Sequence, residues 1–340
     1  MAKDFITMLN TIRANQSAQY QERIPVATQD NFTEIGTAFL TYDAQKNEFL
    51  DAYVYKICVT EAASRRYKNP WAVLKKGTKP YGGIKERYHI NPVKGTEFDE
   101  NGNDLWTVVK PDVKTEYFQR NRQDKYPLSI SDAQLKTAFI SPAEFGSFHE
   151  ANINALYSGD EMDEFLMMRE AVSAQIDEGK MKVVEVDYDA NPANLVKSVQ
   201  TLSRYFKYES NEYAGYNVIN AEAIAAGATP VTTWCPTDKQ VLVIREDVDV
   251  ETDIDVLAKA FNMSKTDFTT RKIGVDTFKD PDVLAVLADE SFFEFLDDLY
   301  KVTNDYNASN LTRKYYLHHW QTIGLSTFAN AVAFKRKANA

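Results

Sequence analysis

Cysteine is nearly missing from this chain, with Cys58 and Cys235 alone among 340 residues. Two thiols cannot build a disulfide framework, and they lack the paired spacing of a zinc site. Both are expected as core thiols of a protein folded in a reducing cytoplasm. The sequons at Asn31, Asn262, Asn307 and Asn310 are accordingly not read as glycosylation sites. Long hydrophobic runs are absent too: no stretch of about 18 apolar residues occurs, the length a membrane helix needs. Residues 1–16 (MAKDFITMLNTIRANQ) contain neither the apolar region nor the cleavage site of a secretory signal. Positive charge is in short supply, and a net charge of −10 argues against a surface that grips nucleic acid throughout.

Catalytic signatures are missing or fail on spacing. Gly77-x-x-x-x-Gly82 begins like a phosphate loop, but Gly83 and Ile84 stand where Lys and Ser or Thr must reach phosphate and magnesium. There is no Gly-x-Ser-x-Gly elbow and no His-Glu-x-x-His. His318 and His319 are neighbours in a predicted strand, so their side chains point to opposite faces and are unsuited to sharing a metal. The ladder Asp247, Asp249, Glu251, Asp253 and Asp255 has calcium-like carboxylates, yet Ile254 replaces the turn glycine and Ala260 the bidentate glutamate. Acids gathered at a helix N-terminus explain it better. No catalytic, cofactor or metal residue is assigned, and no cofactor is expected.

What is present is enough apolar residue, 44%, for sizeable cores in about two domains. Residues 1–50 read as an arm: Phe5, Met8, Leu9 and Ile12, then Phe32, Ile35, Phe39 and Leu40, fall at helical spacing with little core of their own. Residues 51–60 (DAYVYKICVT) alternate as a strand. Residues 64–114 are irregular, with turn dipeptides at Asn69-Pro70, Lys79-Pro80, Gly82-Gly83, Asn91-Pro92, Asn101-Gly102 and Lys110-Pro111. The Asn101-Gly102 pair suggests a hairpin. A protruding loop that finishes folding on a neighbour accounts for its aromatics; an ordinary long surface loop packed on its own domain is the alternative.

Pro142 suits a helix first turn and Gly179 a stop, with apolar residues between them at three- to four-residue spacing. Such a helix runs about 55 Å at ~1.5 Å per residue. Ser158-x-x-Glu161 is a possible restart through a capping box. Residues 193–208 form a further amphipathic helix, and 254–262 one capped by Asp253. Residues 241–244, 273–278, 284–287 and 315–323 read as strands, which makes the class α+β.

Charge is unevenly spread. Residues 64–125 hold fourteen Lys and Arg against eight Asp and Glu, a balance of +6 that leaves −16 for the remainder. Residues 143–178 hold nine acids against Arg169 alone, a balance of −8. A basic loop reaching the acidic helix of the next copy is one reading; a merely solvated helix face is the other. On the first reading, Arg65, Arg66, Trp71, Lys75, Lys76, Lys79, Tyr81, Arg87 and Trp106 are the expected loop contacts. Glu150, Asp160, Glu161, Asp163 and Glu164 are then their counterparts on the helix.

Four blocks in order, 117–123 (YFQRNRQ), 135–148 (LKTAFISPAEFGSF), 255–268 (DVLAKAFNMSKTDF) and 315–334 (YYLHHWQTIGLSTFANAVAF), closely resemble the major capsid proteins of phi29-like short-tailed bacteriophages. The resemblance implies an HK97-like capsid fold with an N-terminal arm (1–50), an extended β-hairpin loop (64–116) and a long spine helix (142–178). It also implies a peripheral domain (51–63, 117–190 and strands in 290–334) and an axial domain (191–289). It further implies a homo-oligomeric shell of pentamers and hexamers, a scaffolding protein during assembly, a portal or connector, and packaged double-stranded DNA held without sequence-specific binding. The expected location is the virion, assembled in the host bacterial cytoplasm. Some relatives continue into an immunoglobulin-like module, whereas residues 335–340 alone follow the last strand here. An encapsulin-like compartment shell and a soluble cytoplasmic enzyme are the rival expectations.

Overall fold

The computed structural model describes residues 2–28, 30–41, 49, 67–80, 82–98, 100, 106, 108–131, 134, 142–251 and 272–337. In chain order the helices are α1 (Ala2–Ala14), α2 (Ala18–Arg23), α3 (Phe32–Thr41), α4 (Pro142–Asp177), α5 (Ala193–Tyr205), α6 (Gly215–Ile219), α7 (Ala221–Ala225) and α8 (Glu246–Glu251). The strands are β1 (Lys75–Thr78), β2 (Lys85–Ile90), β3 (Val113–Phe118), β4 (Arg122–Ser131), β5 (Lys182–Val186), β6 (Gln240–Arg245), β7 (Lys272–Val275), β8 (Val283–Asp289), β9 (Phe293–Asn307), β10 (Thr312–Leu325) and β11 (Ala331–Arg336). The predicted strand at 51–60, the Asn101-Gly102 turn and the helix at 254–262 lie outside the described residues.

The chain forms two compact units. The first comprises residues 1–69, 122–164 and 299–320; the second comprises 70–121, 165–298 and 321–340.

In the first unit the apolar faces of α1 to α3 are buried. Leu9, Ile12, Tyr20, Ile24, Phe32 and Ile35 join Ile130 of β4, Leu156 and Tyr157 of α4, and Tyr315 and Leu317 of β10 in one core. The helical spacing read in residues 1–50 thus has its partner in strands and helix distant in sequence. Asn10 ties the connection between α2 and α3 to α1: its amide donates to Ala27 O at 3.0 Å and accepts from Ala27 N at 2.7 Å.

The second unit is built on a five-stranded sheet in the order β5-β11-β8-β6-β7. β11 runs parallel to β5 and antiparallel to β8; β6 runs antiparallel to β8 and parallel to β7. Its strands are near-continuous apolar runs because both faces are covered. On one face Val241, Val243, Val286, Ala331 and Ala333 meet Met168, Val172 and Ile176, spaced four apart on α4. On the other, Leu242, Ile244, Leu284, Leu287, Val332 and Phe334 meet Leu195, Val196 and Val199 of α5, with Cys235 buried in the same cluster. The sheet joins β11, expected in the peripheral domain, to β6, β7 and β8, expected in the axial one. A core needing cover on both faces recruits whichever apolar strand completes it.

Pro142 and Gly179 bracket α4 as expected, Gly179 taking a φ of 67° that favours glycine. The helix does not restart at Ser158. That side chain instead accepts a hydrogen bond from Tyr67 N at 3.4 Å, so no local cap competes with the helix.

Candidate inter-subunit interface

The basic segment is held by its own unit. Pro70–Leu74 form a 3-10 turn that seats Trp71, fully buried, edge-on against Phe293 at 5.8 Å and Phe295 at 6.3 Å. β1 then pairs parallel with β9, Lys75 opposite Phe295 and Thr78 opposite Asp297. That register brings the lysines to the acids of β9: Lys75 Nζ is 2.9 Å from Asp297, Lys76 Nζ 2.7 Å from Glu294, and Lys79 Nζ 3.5 Å from Asp298. Lys85 at 2.6 Å and Arg87 at 2.9 Å complete a ring of three cations around Glu294, whose side chain is 3% exposed. Burial alone would raise the Glu294 pKa, but hydrogen bonds from Lys76 and Lys85 outweigh it and hold the carboxyl below its usual value.

Within the subunit, Trp71 is a core residue, and Lys75, Lys76, Lys79 and Arg87 of the expected loop contacts pair with acids of β9. Trp71 is enclosed by its own core and presents no surface to a neighbour. The four cations already neutralise carboxylates about 200 residues away in their own chain. Arg65, Arg66 and Tyr81 lie outside the described residues.

The acids of α4 are similarly engaged within the subunit. Asp160 is buried and accepts from Arg122 Nη2 at 2.8 Å, and His319 Nδ1 lies 2.6 Å from the same oxygen. Arg122 has no exposed side-chain surface and also donates to Asp124 at 2.7 Å and to the Tyr126 hydroxyl at 2.7 Å. Burial alone would lower the Arg122 pKa; Asp124 and Asp160 more than offset this and raise it. Tyr126 donates onward to Asp163 at 2.9 Å, and burial raises its phenol pKa. Glu161 accepts from Asn69 N at 3.0 Å and Glu164 from Asn69 Nδ2 at 2.8 Å. Glu150 lies in α4, with its side chain outside the described residues.

The remaining part of the basic segment is a hairpin with an inverted pattern. β2 and β3 pair antiparallel from Lys85↔Phe118 to Ile90↔Val113. The side turned to its own unit carries charge: Lys85 and Arg87 reach Glu294, and Glu116 accepts from Thr327 N at 2.9 Å. Phe118 closes the stem against Gly324, where an added Cβ would meet its ring at 2.4 Å. The opposite side exposes Ile84, Tyr88, Ile90, Val113 and Tyr117. Beyond the stem, Phe98 is 90% and Trp106 88% exposed, with Val93, Val108 and Val109 also open to solvent. Of the expected apolar loop anchors among the described residues, Trp71 is buried and Trp106 is exposed.

Those lysine contacts alter the outcome of charge reversal. Changing Lys75, Lys76 and Lys79 together to Glu is expected to destabilise the subunit itself, because Glu294, Asp297 and Asp298 would each face a new anion. A thermal melt of the unassembled protein should fall by several degrees. An unchanged melt with slowed assembly would instead restore the inter-subunit role.

Comparison with known proteins gives the family. A family model described as Phi29-like phage major capsid protein matches residues 9–335. The chain belongs to the Phi29-like phage major capsid protein family. Among Phi29-like relatives, the major capsid protein of Bacillus phage PZA is 32% identical over 329 residues, spanning 96% of this chain and 72% of that protein. That of Bacillus phage B103 is 33% identical over the same spans. Solved structures agree on the HK97-like capsid fold. A chain in the capsid structure of Staphylococcus phage Andhra superposes with a TM-score of 0.64 at 13% identity, covering 82% of this chain and 87% of that one. A chain in a structure of the head fiber and inner core protein of native bacteriophage P68 gives 0.59 at 13% identity over the same shares. As a Phi29-like major capsid protein, the chain is a repeated subunit of a multimeric virion shell. Among the described residues no helix is long and apolar enough to cross a membrane.

Proposed function

We propose that this capsid subunit tiles its shell by laying the outer face of the β2–β3 hairpin, and the segment 91–112 beyond it, onto a neighbouring copy. The observation that carries the reading is the hairpin's inversion. A two-stranded ribbon that turns most of its ions inward, and sets Tyr88, Ile90, Val113 and Tyr117 outward beside Glu86, exposes apolar surface that monomeric proteins ordinarily cover. The ion pairs with Glu294 fix the ribbon to its own subunit and leave the outward face for a partner. Head-to-tail contacts of this kind close into rings of five or six. Apolar anchors such as Trp106 supply the affinity, and rim charges contribute to encounter and register.

Assembly in the host cytoplasm proceeds on a scaffolding protein and around a portal, and the shell encloses double-stranded DNA without sequence-specific contacts. The net charge of −10 suits a container that repels its cargo and keeps it releasable. The subunit acts as a building block without catalysis of its own. Electron microscopy of the chain co-expressed with its cognate scaffolding protein is expected to show closed particles. A uniform small monomer that turns over a substrate would overturn the reading.

A further inference from the structure

The segment carrying the exposed aromatics leaves the hairpin at a defined point. Asn91 N donates to Asp112 O at 3.3 Å, one rung beyond Ile90↔Val113. Pro92 and Pro111 follow on the inner side of that rung, and neither has an N–H with which to continue a ladder. The Asn91 side chain spends its full bonding capacity there. Its Nδ2 donates to Asp112 Oδ2 at 2.6 Å and to Pro230 O at 2.7 Å. Its Oδ1 accepts from Thr232 N at 2.8 Å and lies 3.1 Å from His89 Nε2.

The far side of this grip is itself immobilised. Between Pro230 and Thr232, Val231 is fully buried and bonded at both backbone groups by the Asn217 amide, at 2.6 and 2.7 Å. Thr233 next to it pairs with Ser210. On the near side, Lys114 Nζ holds Asp112 at 2.7 Å and sits over the Tyr216 ring at 5.5 Å, while His89 packs on Phe328 at 5.9 Å. One amide therefore joins the outgoing strand, the returning strand and a locked segment of the body.

We infer that Asn91 is a positioning residue for assembly, a clamp that fixes the direction in which residues 92–111 leave the subunit, so that Phe98 and Trp106 are presented to the next copy already oriented. The inference rests on the docking role proposed above. Orientation fixed before encounter removes part of the ordering cost of association, so loss of the clamp slows assembly more than it weakens the fold.

The test compares Asn91→Ala with Trp106→Ala in the full chain, reading hydrogen exchange and melting of the unassembled subunit and the rate of particle formation with its scaffolding protein. For Asn91→Ala, the Thr232 amide should exchange about tenfold faster and particles form about tenfold more slowly, with melting nearly unchanged. Asn91→Asp keeps the size and the acceptor to Thr232 but sets a carboxylate against Asp112. It should slow assembly similarly should the alanine variant fold poorly. Faster exchange at Thr232 with an unaltered rate of particle formation in Asn91→Ala, or an unaltered rate in Asn91→Asp, overturns the clamp. Normal assembly of Trp106→Ala overturns the docking reading instead, so the two failures are distinguishable.

Discussion

Replacing Asp160 with alanine is expected to lower the melting temperature of the unassembled subunit by roughly 6–10 °C. The cause is the guanidinium it would abandon. Arg122 has no exposed side-chain surface, and Asp160 accepts from it at 2.8 Å inside the first unit. Asp124, the other carboxylate on Arg122, is 40% exposed and so is partly screened by water. Removing one member of a buried ion pair costs about 3–5 kcal/mol, because the remaining charge has lost its partner and cannot regain its hydration. A chain of this size loses about 2 °C per kcal/mol. His319, 2.6 Å from the same oxygen, would lose that contact as well. Replacing both members, Arg122→Met with Asp160→Leu, should cost less than Asp160→Ala alone, since no stranded charge remains. Melting of Asp160→Ala within about 1 °C of the parent would refute this account of the Arg122 site.

The second large effect is on assembly. Changing Phe98 and Trp106 together to serine is expected to leave the melt of the free subunit in place and to abolish particles. Both side chains are about nine-tenths exposed, so the subunit's own core does not depend on them. If they anchor a contact, truncation removes about 2 kcal/mol or more from each, the cost typical of a central aromatic. That is about thirtyfold per side chain, and a ring of five or six repeats the combined loss at every junction. Sedimentation with electron microscopy separates the outcomes. Particles at the parental yield would show that the exposed tip takes no part in tiling.

Much of the architecture could be read from the sequence because it is written in short-range pattern. Pro142 and Gly179 mark the ends of α4, and four-residue spacing marks Met168, Val172 and Ile176 as its buried stripe. Apolar runs at 241–244 and 284–287 mark strands covered on both faces. The pairing of charges was not legible by the same means. The basic loop and the acidic helix are close in sequence, yet each lysine of β1 found an acid on β9, and Asp160 found Arg122 and His319. Electrostatic partners are set by tertiary register, which adjacency along the chain does not encode. One signal was available: Glu294 interrupts the apolar run SFFEFL, and a carboxylate carried into such surroundings must bring cations with it. Trp71 is a similar case. It follows a proline in a turn-rich stretch, which reads as exposed, but the same turn drives the indole into Phe293 and Phe295.

The place of β11 in the five-stranded sheet bears on the timing of synthesis. Residues 331–336 lie between β5 and β8, hydrogen-bonded on both sides, although more than 300 residues precede them. A nascent polypeptide halted before residue 331 leaves two open strand borders where the finished protein has none, and unpaired borders invite aggregation. Products that stop before residue 331 would be diverted from the growing lattice, so incorporation is reserved for polypeptides whose translation has passed β11.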